Sequence, residues 1–205
     1  MKKIIIYIIK ILHKIINYRH YEYLRSHIFV IYSKWIENEF RYCGKGCYIM
    51  PFQMLKGGKN IILGNNINIG YKCVLETYDN YRGKKFTPII KIGNNSSIGD
   101  NSHITCINKI IIGENVMMGK KIFITDNAHG ASERNLLDIR PNLRPLYSKG
   151  PVIIEQNVWI GEMVCIMPGV TIGRGSIIGA NAVVTKSIPP YCVVGGNPAK
   201  IIKQL

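Results

Sequence analysis

In the stretch "VIIEQNVWIGEMVCIMPGVTIGRGSIIGANAVVT" an aliphatic residue recurs at every sixth position: Ile154, Ile160, Ile166, Ile172, Ile178 and Val184. Four residues after each lead position stand Val158, Val164, Val170, Ser176, Ala182 and Ile188, mostly small or β-branched. A period of six matches neither the 3.6 of a helix nor the strict alternation of a flat strand. It fits a chain that makes a short strand, turns a corner and repeats. Asn157, Gly169, Gly175 and Asn181 fall where the corners belong, and these residue types tolerate positive φ. Three such sides close a triangular coil of eighteen residues. The spacing then predicts Ile154 stacked beneath Ile172, Ile160 beneath Ile178 and Ile166 beneath Val184, on parallel strands about 4.8 Å apart. Their side chains fill the interior, so stability comes from stacking neighbouring coils.

The same phase runs upstream through Ile92, Ile98 and Ile104, slips by two residues at "INK", and restarts at Ile112, Met118 and Ile124. An earlier fragment carries Leu63, Ile69 and Leu75. The rhythm breaks at "FITDNAHGASERNLL" and returns only near Val152. Residues 131–150 lack the ladder, hold two prolines and carry Arg134, Arg140, Arg144 and Lys149. They are predicted to form a protruding loop, and long loops inside a compact repeat are commonly functional or disordered. The next inward position after Ile124 would be Gly130, so alternation aims the neighbouring His129 outward. His103 precedes Ile104 in the same way. Counting sides of the coil puts His103 and His129 on different faces of one chain, to be brought together only by a neighbouring chain.

Ahead of the repeats, residues 1–44 read as a helical segment and 45–205 as the repeat domain. In residues 4–16, Lys3, Lys10, Lys14 and Asn17 flank one face of an isoleucine-rich helix. Such a helix can lie on a membrane, pack on its own domain or pack on an oligomer partner. It is too short to span about 30 Å of hydrocarbon, and Lys10 interrupts any signal-peptide core. A second helix is expected over residues 21–40. This organisation predicts a cytoplasmic protein whose residues 2–17 can reach the inner face of the membrane.

Charge adds direction to this picture. Lys and Arg total 27 against 12 acids, a net charge of +15, which favours an anionic partner such as a membrane surface, nucleic acid or a phosphorylated small molecule. The six cysteines show no framework spacing and read as reduced, mostly buried thiols.

The tandem hexapeptides, closing with "VWIGEMVCIMPGVTIGRGSIIGANAVVTKSIPPYCVVGGNPAKII", resemble the hexapeptide-repeat acyltransferases over about residues 60–205. The similarity is greatest to their sugar and xenobiotic O-acetyltransferase branch. The resemblance implies a mainly β fold, a left-handed parallel β-helix that departs from the right-handed crossover rule. It also implies a homotrimer with acetyl-CoA, the acyl donor, held in clefts between chains. His129 matches the family's catalytic histidine, sixteen residues after the repeat glycine Gly113. Acyl transfer from a thioester to a hydroxyl needs a base near neutrality, which imidazole supplies. Asp126 and Asn127 are candidates for orienting that imidazole or binding sugar hydroxyls. Asn101 matches a position that contacts acceptor or oxyanion, and His103 is a further candidate on the acceptor side.

The resemblance also places the coenzyme end. Gly161 and Ala180 line the pantetheine channel, Thr185 and Lys186 match a coenzyme-binding pair, and Lys200 and Lys203 match basic positions at the nucleotide. Trp159 is expected to pack. The resulting expectation is an acetyl-CoA-dependent O-acetyltransferase acting on a sugar hydroxyl, in surface polysaccharide biosynthesis. The alternatives are an N-acyltransferase on an amino-sugar nucleotide and an antibiotic acetyltransferase. No nucleic-acid partner and no metal enter this reading; a zinc hydratase on the same prism needs three histidine ligands, and the repeats hold only His103 and His129.

Overall fold

The computed structural model describes residues 2–205, so the first residue of the 1–44 segment lies outside the described residues. The chain builds a triangular prism with three parallel sheets as its faces, wound as a left-handed β-helix. Face 1 carries, in order, Tyr42–Cys43, Ile61–Leu63, Ile89–Ile92, Lys109–Ile112, Val152–Ile154 and Thr171–Ile172. Face 3 carries Met54–Lys56, Val74–Thr77, His103–Cys106, Phe123–Thr125, Cys165–Ile166 and Val183–Val184. Face 2 lies between them in each coil and ends on the antiparallel strand Lys200–Gln204.

The stacking expected from the period is observed: Ile154 pairs with Ile172, Ile160 with Ile178 and Ile166 with Val184. All six are at most 1% exposed, and each buried aliphatic side chain contributes about 1.5–3 kcal/mol. Asn157, Gly169, Gly175 and Asn181 take φ of 59°, 79°, 67° and 61° at the corners. Along one edge, Asn66, Asn95, Asn115 and Asn157 hand hydrogen bonds from coil to coil at 3.0, 3.3 and 3.1 Å. This ladder satisfies the amides while holding residues in a conformation that most side chains resist.

One coil lay unnoticed in the sequence. Cys43, Ile49 and Leu55 are also six apart, and they stack on Leu63, Ile69 and Leu75. The first strand of the prism is therefore Tyr42–Cys43.

Helix α1 spans Lys2–Ile15 and helix α2 spans Tyr18–Ile36. Asn17 caps α2, its side chain accepting from the His20 N–H at 3.2 Å. Through Ser33 and Ile36, α2 seals the open end of the prism. The Ser33 hydroxyl donates to the Ile49 carbonyl and accepts from its N–H, both at 2.8 Å, blunting an edge strand that could otherwise recruit another chain. By contrast α1 buries none of its residues, so packing on its own domain is not how its isoleucines are covered. All six cysteines are free thiols; Cys73, Cys106 and Cys192 are buried and the others half-buried.

Candidate active site

The site is built where the chain leaves face 3. Ile92 pairs with Ile112 and Ile104 with Ile124, so these coils hold twenty residues instead of eighteen. The two extra residues make a bulge at Cys106–Lys109 whose backbone donors find no strand partner. The fully buried Asp126 carboxylate collects them, accepting from the N–H groups of Ile107, Asn108 and Lys109 at 2.9, 2.8 and 2.8 Å. The Cys106 thiol donates to it at 3.2 Å, and burial followed by the Asp126 charge holds that thiol strongly in its protonated form. Asp126 thus faces inward on backbone donors and makes no bond to an imidazole. It holds the bulge that produces the two-residue slip.

Asn127 braces the departure of the chain. Its Nδ2 donates to the Thr105 carbonyl at 3.2 Å and to Asp126 at 3.1 Å, while its N–H donates to the Thr125 hydroxyl at 3.1 Å. Beyond it, Ala128 and His129 pair antiparallel with Tyr147 and Leu146. The excursion is an ordered flap, with a short helix at Arg134–Leu137 and a 3₁₀ turn at Pro141–Leu143. The Arg144 guanidinium caps carbonyls of the flap, Nε on Ile139 at 2.8 Å and Nη2 on Leu137 at 3.0 Å. Gly130 takes φ of +84°, and a Cβ there would stand 3.1 Å from the Arg144 side chain, so the flap needs glycine at its root.

His129 is exposed, as alternation predicts. Its ring meets the edge of Tyr81, centroids 5.7 Å apart. The expected separation of the two histidines is overturned: His103 and His129 line one cavity of about 270 Å³ within a single chain. Counting sides failed because His129 is no longer on a side of the coil. The chain peels off at the corner after face 3 and folds back over that face, where His103 sits in register with Phe123.

The other walls of this cavity escaped the sequence reading. Glu76 lies on the floor with its Oε2 3.2 Å from His103 Nε2. Tyr78 and Tyr81 come from a second excursion that ends in the hairpin Asn80–Tyr81/Lys84–Lys85. The signal was present: the phase of Leu75 does not resume until Ile90 and Ile92, so this coil also carries an insertion. The Tyr81 hydroxyl donates to the Asn142 carbonyl at 3.1 Å, tying the hairpin to the flap.

Asn101 stands apart. It occupies a corner with φ of 57°, does not line the cavity, and donates its N–H to the Tyr71 carbonyl. Turn geometry is sufficient reason for its residue type. Thr185 lines a second cavity of about 260 Å³, which shares Ala128 with the first. Gly161 abuts the next coil, where a Cβ would lie 2.6 Å from the Ala180 nitrogen. Gly161 and Ala180 sit on the corner between faces 2 and 3, opposite the corner that carries His129. Neither residue lines the His129 cavity or the Thr185 cavity. Lys186, Lys200 and Lys203 are exposed, the last two on the terminal strand of face 2. Trp159, expected to pack, is 50% exposed on face 2. Among the described residues, no three His, Cys, Asp or Glu side chains are grouped to hold a metal ion.

A stack of hexapeptide coils, interrupted by a hairpin and by a flap with an outward histidine at its root, defines a class of enzyme. The chain belongs to the hexapeptide-repeat acyltransferases. Residues 151–186 match the bacterial transferase hexapeptide family (six repeats). Over 165 residues the chain is 36% identical to WbbJ of Escherichia coli (strain K12), provisionally named a lipopolysaccharide biosynthesis O-acetyl transferase, covering 78% of this chain and 80% of that protein. It is 38% identical over 116 residues to the galactoside O-acetyltransferase of the same organism, covering 57% of this chain and 54% of the other. Among solved structures, a hexapeptide-repeat acetyltransferase from Vibrio cholerae complexed with acetyl coenzyme A superposes with a TM-score of 0.58 at 26% identity, covering 84% of this chain and 75% of the other.

Proposed function

We propose that the chain transfers an acetyl group from acetyl-CoA to a sugar hydroxyl, in the biosynthesis of a surface polysaccharide, with His129 as general base. The observation that carries this reading is the cavity: an exposed imidazole at its rim, hydroxyl, carboxylate and amide groups within, and tyrosine rings at its side. Binding sites for small polar molecules combine a few convergent polar groups with aromatic walls in this way. His129 takes the acceptor's hydroxyl proton as the oxygen attacks the thioester carbonyl, and gives that proton to the thiolate sulfur as the carbon–sulfur bond breaks. The donor is already activated, so His129 needs no covalent step; holding both reactants in place supplies much of the remainder. Ala128, shared by the two cavities, sets the donor side marked by Thr185 next to the acceptor side.

The residues present fit coenzyme A. Lys186, Lys200 and Lys203 are exposed, and none forms an ion pair among the described residues, so their charges are free for the phosphates. Lysine offers point charges here in place of bidentate contacts. Gly161 and Ala180 give the thin pantetheine arm a corner without bulk. Their distance from His129 within one chain supports a homotrimer in which a neighbour's donor corner meets this chain's acceptor cavity. Incubation with acetyl-CoA and a panel of glycosides, followed by mass spectrometry, is expected to give a product 42 Da heavier (roughly one acetyl group) whose label hydroxylamine removes. A hydroxylamine-stable product would favour the alternative N-acyltransferase; an absence of any transfer would overturn both.

The N-terminal helix extends this reading. Its isoleucines are 43–65% exposed and its charges are all basic, which suits the anionic cytoplasmic leaflet. No helix of the described residues is long and apolar enough to cross a membrane. We infer that residues 2–17 hold the enzyme against the inner face of the cell membrane. The full chain is expected to float with vesicles containing phosphatidylglycerol. A chain lacking 2–17 should remain in solution and sediment as three copies. Flotation of the shortened chain, or its sedimentation as a monomer, would contradict the respective part of this picture.

A further inference from the structure

The chain is strongly basic, yet the cavity beside His129 contains a carboxylate and no lysine or arginine. Glu76, Thr105 and Thr125 stand in register on three adjacent strands of face 3. Glu76 and Thr105 form a polar pair at strand spacing of about 4.8 Å, the interval of hydroxyls on alternate carbons of a six-membered sugar ring, while the buried Thr125 hydroxyl is held by Asn127 beside them. Lys56 is in register with Glu76 on the next strand, and its ammonium lies over the Tyr78 ring at 3.8 Å. Glu76 thus faces His103 and the Tyr78 hydroxyl rather than a cation, and its side chain is only 13% exposed.

We propose that Glu76 is the specificity-determining residue of the acceptor pocket, selecting a neutral pyranose and rejecting one that carries a carboxylate. The inference rests on the reading of His129 as the base of a sugar acetyltransferase. A carboxylate accepts charge-assisted hydrogen bonds from neutral hydroxyls and repels an acidic ring substituent in a confined, poorly solvated space. Tyr81 supplies an aromatic wall to the cavity. Because Tyr81 is fastened to the flap through Asn142, the pocket narrows around a single ring. His103 is a positioning residue: its imidazole, fixed at 3.2 Å, holds the Glu76 carboxylate in place.

The experiment compares p-nitrophenyl β-D-glucopyranoside and β-D-galactopyranoside with p-nitrophenyl β-D-glucuronide as acceptors. The wild-type chain is expected to prefer the better neutral glycoside over the glucuronide by about tenfold or more in kcat/KM. Glu76→Gln should narrow that ratio to within about threefold, chiefly through a lower KM for the glucuronide, with the KM for acetyl-CoA unchanged. His103→Gln retains the carboxylate and should raise the KM of both acceptors while preserving the preference. A wild-type preference for the glucuronide, or an unchanged ratio in Glu76→Gln, overturns the proposal. His129→Ala separates the two levels. If it is inactive while Glu76→Gln keeps the wild-type ratio, only the selectivity inference fails; if it transfers normally, the reading beneath it fails.

Discussion

Replacing His129 with alanine is expected to lower kcat for acetyl transfer by about 10²–10⁴-fold, the contribution typical of a positioned general base. The fold should be unaffected. The imidazole is exposed and touches the edge of Tyr81, while the strand it belongs to is held by backbone pairing to Leu146. The KM for acetyl-CoA should stay close to wild type, because Thr185 and the basic residues assigned to the donor lie outside the cavity that His129 lines. Steady-state release of coenzyme A thiol, read with a thermal melt, checks all three statements. Undiminished transfer would remove His129 from the chemistry and leave the cavity as a binding surface.

Replacing Asp126 with alanine should have the largest effect on stability of any single change in the site. The substitution leaves three backbone donors without their acceptor, that of Ile107 buried and those of Asn108 and Lys109 part-buried, and each unsatisfied buried donor costs about 1–3 kcal/mol. Even with partial relaxation and entering water, a loss of about 3 kcal/mol or more is expected, seen as a fall in Tm of roughly 10 °C. Asp126→Asn should be intermediate, because one carbonyl oxygen remains while the amide group presents its own donors to the same N–H groups. Activity should fall with stability in both, since Asn127 leans on the Asp126 carboxylate and His129 follows two residues later. A Tm within about 2 °C of wild type for the alanine variant would show that the bulge at Cys106–Lys109 holds itself.

These two residues stand three apart in "TDNAHG" and were legible to different degrees. His129 could be found because the ladder makes direction readable: once Ile112, Met118 and Ile124 point inward, its neighbours are assigned to a side. Asp126 sits close enough to His129 in sequence to suggest a part in the reaction, but the clue to its task lies twenty residues earlier. A slip of two residues in a stacked coil leaves amides without partners, and something in the next coil must accept from them. Asp126 stacks over that slip, and a short buried carboxylate is well suited to gather several donors at once.

The six-residue period, by itself, determined the prism, the stacking of Ile154 on Ile172 and its companions, the corner residues and the place where the coil is interrupted. Each of these is a relation between one coil and the next, and in a one-dimensional stack such relations repeat along the chain. The tertiary structure alone decided that His103 and His129 share a cavity, that Glu76 and Tyr81 complete it, and that the flap and the hairpin are fastened together. Each of those contacts involves a segment that has left the coil; Tyr81 and Asn142 are 61 residues apart. No periodic pattern constrains where an excursion returns. Its path is set by the hydrogen bonds and ring contacts it finds after folding back over face 3.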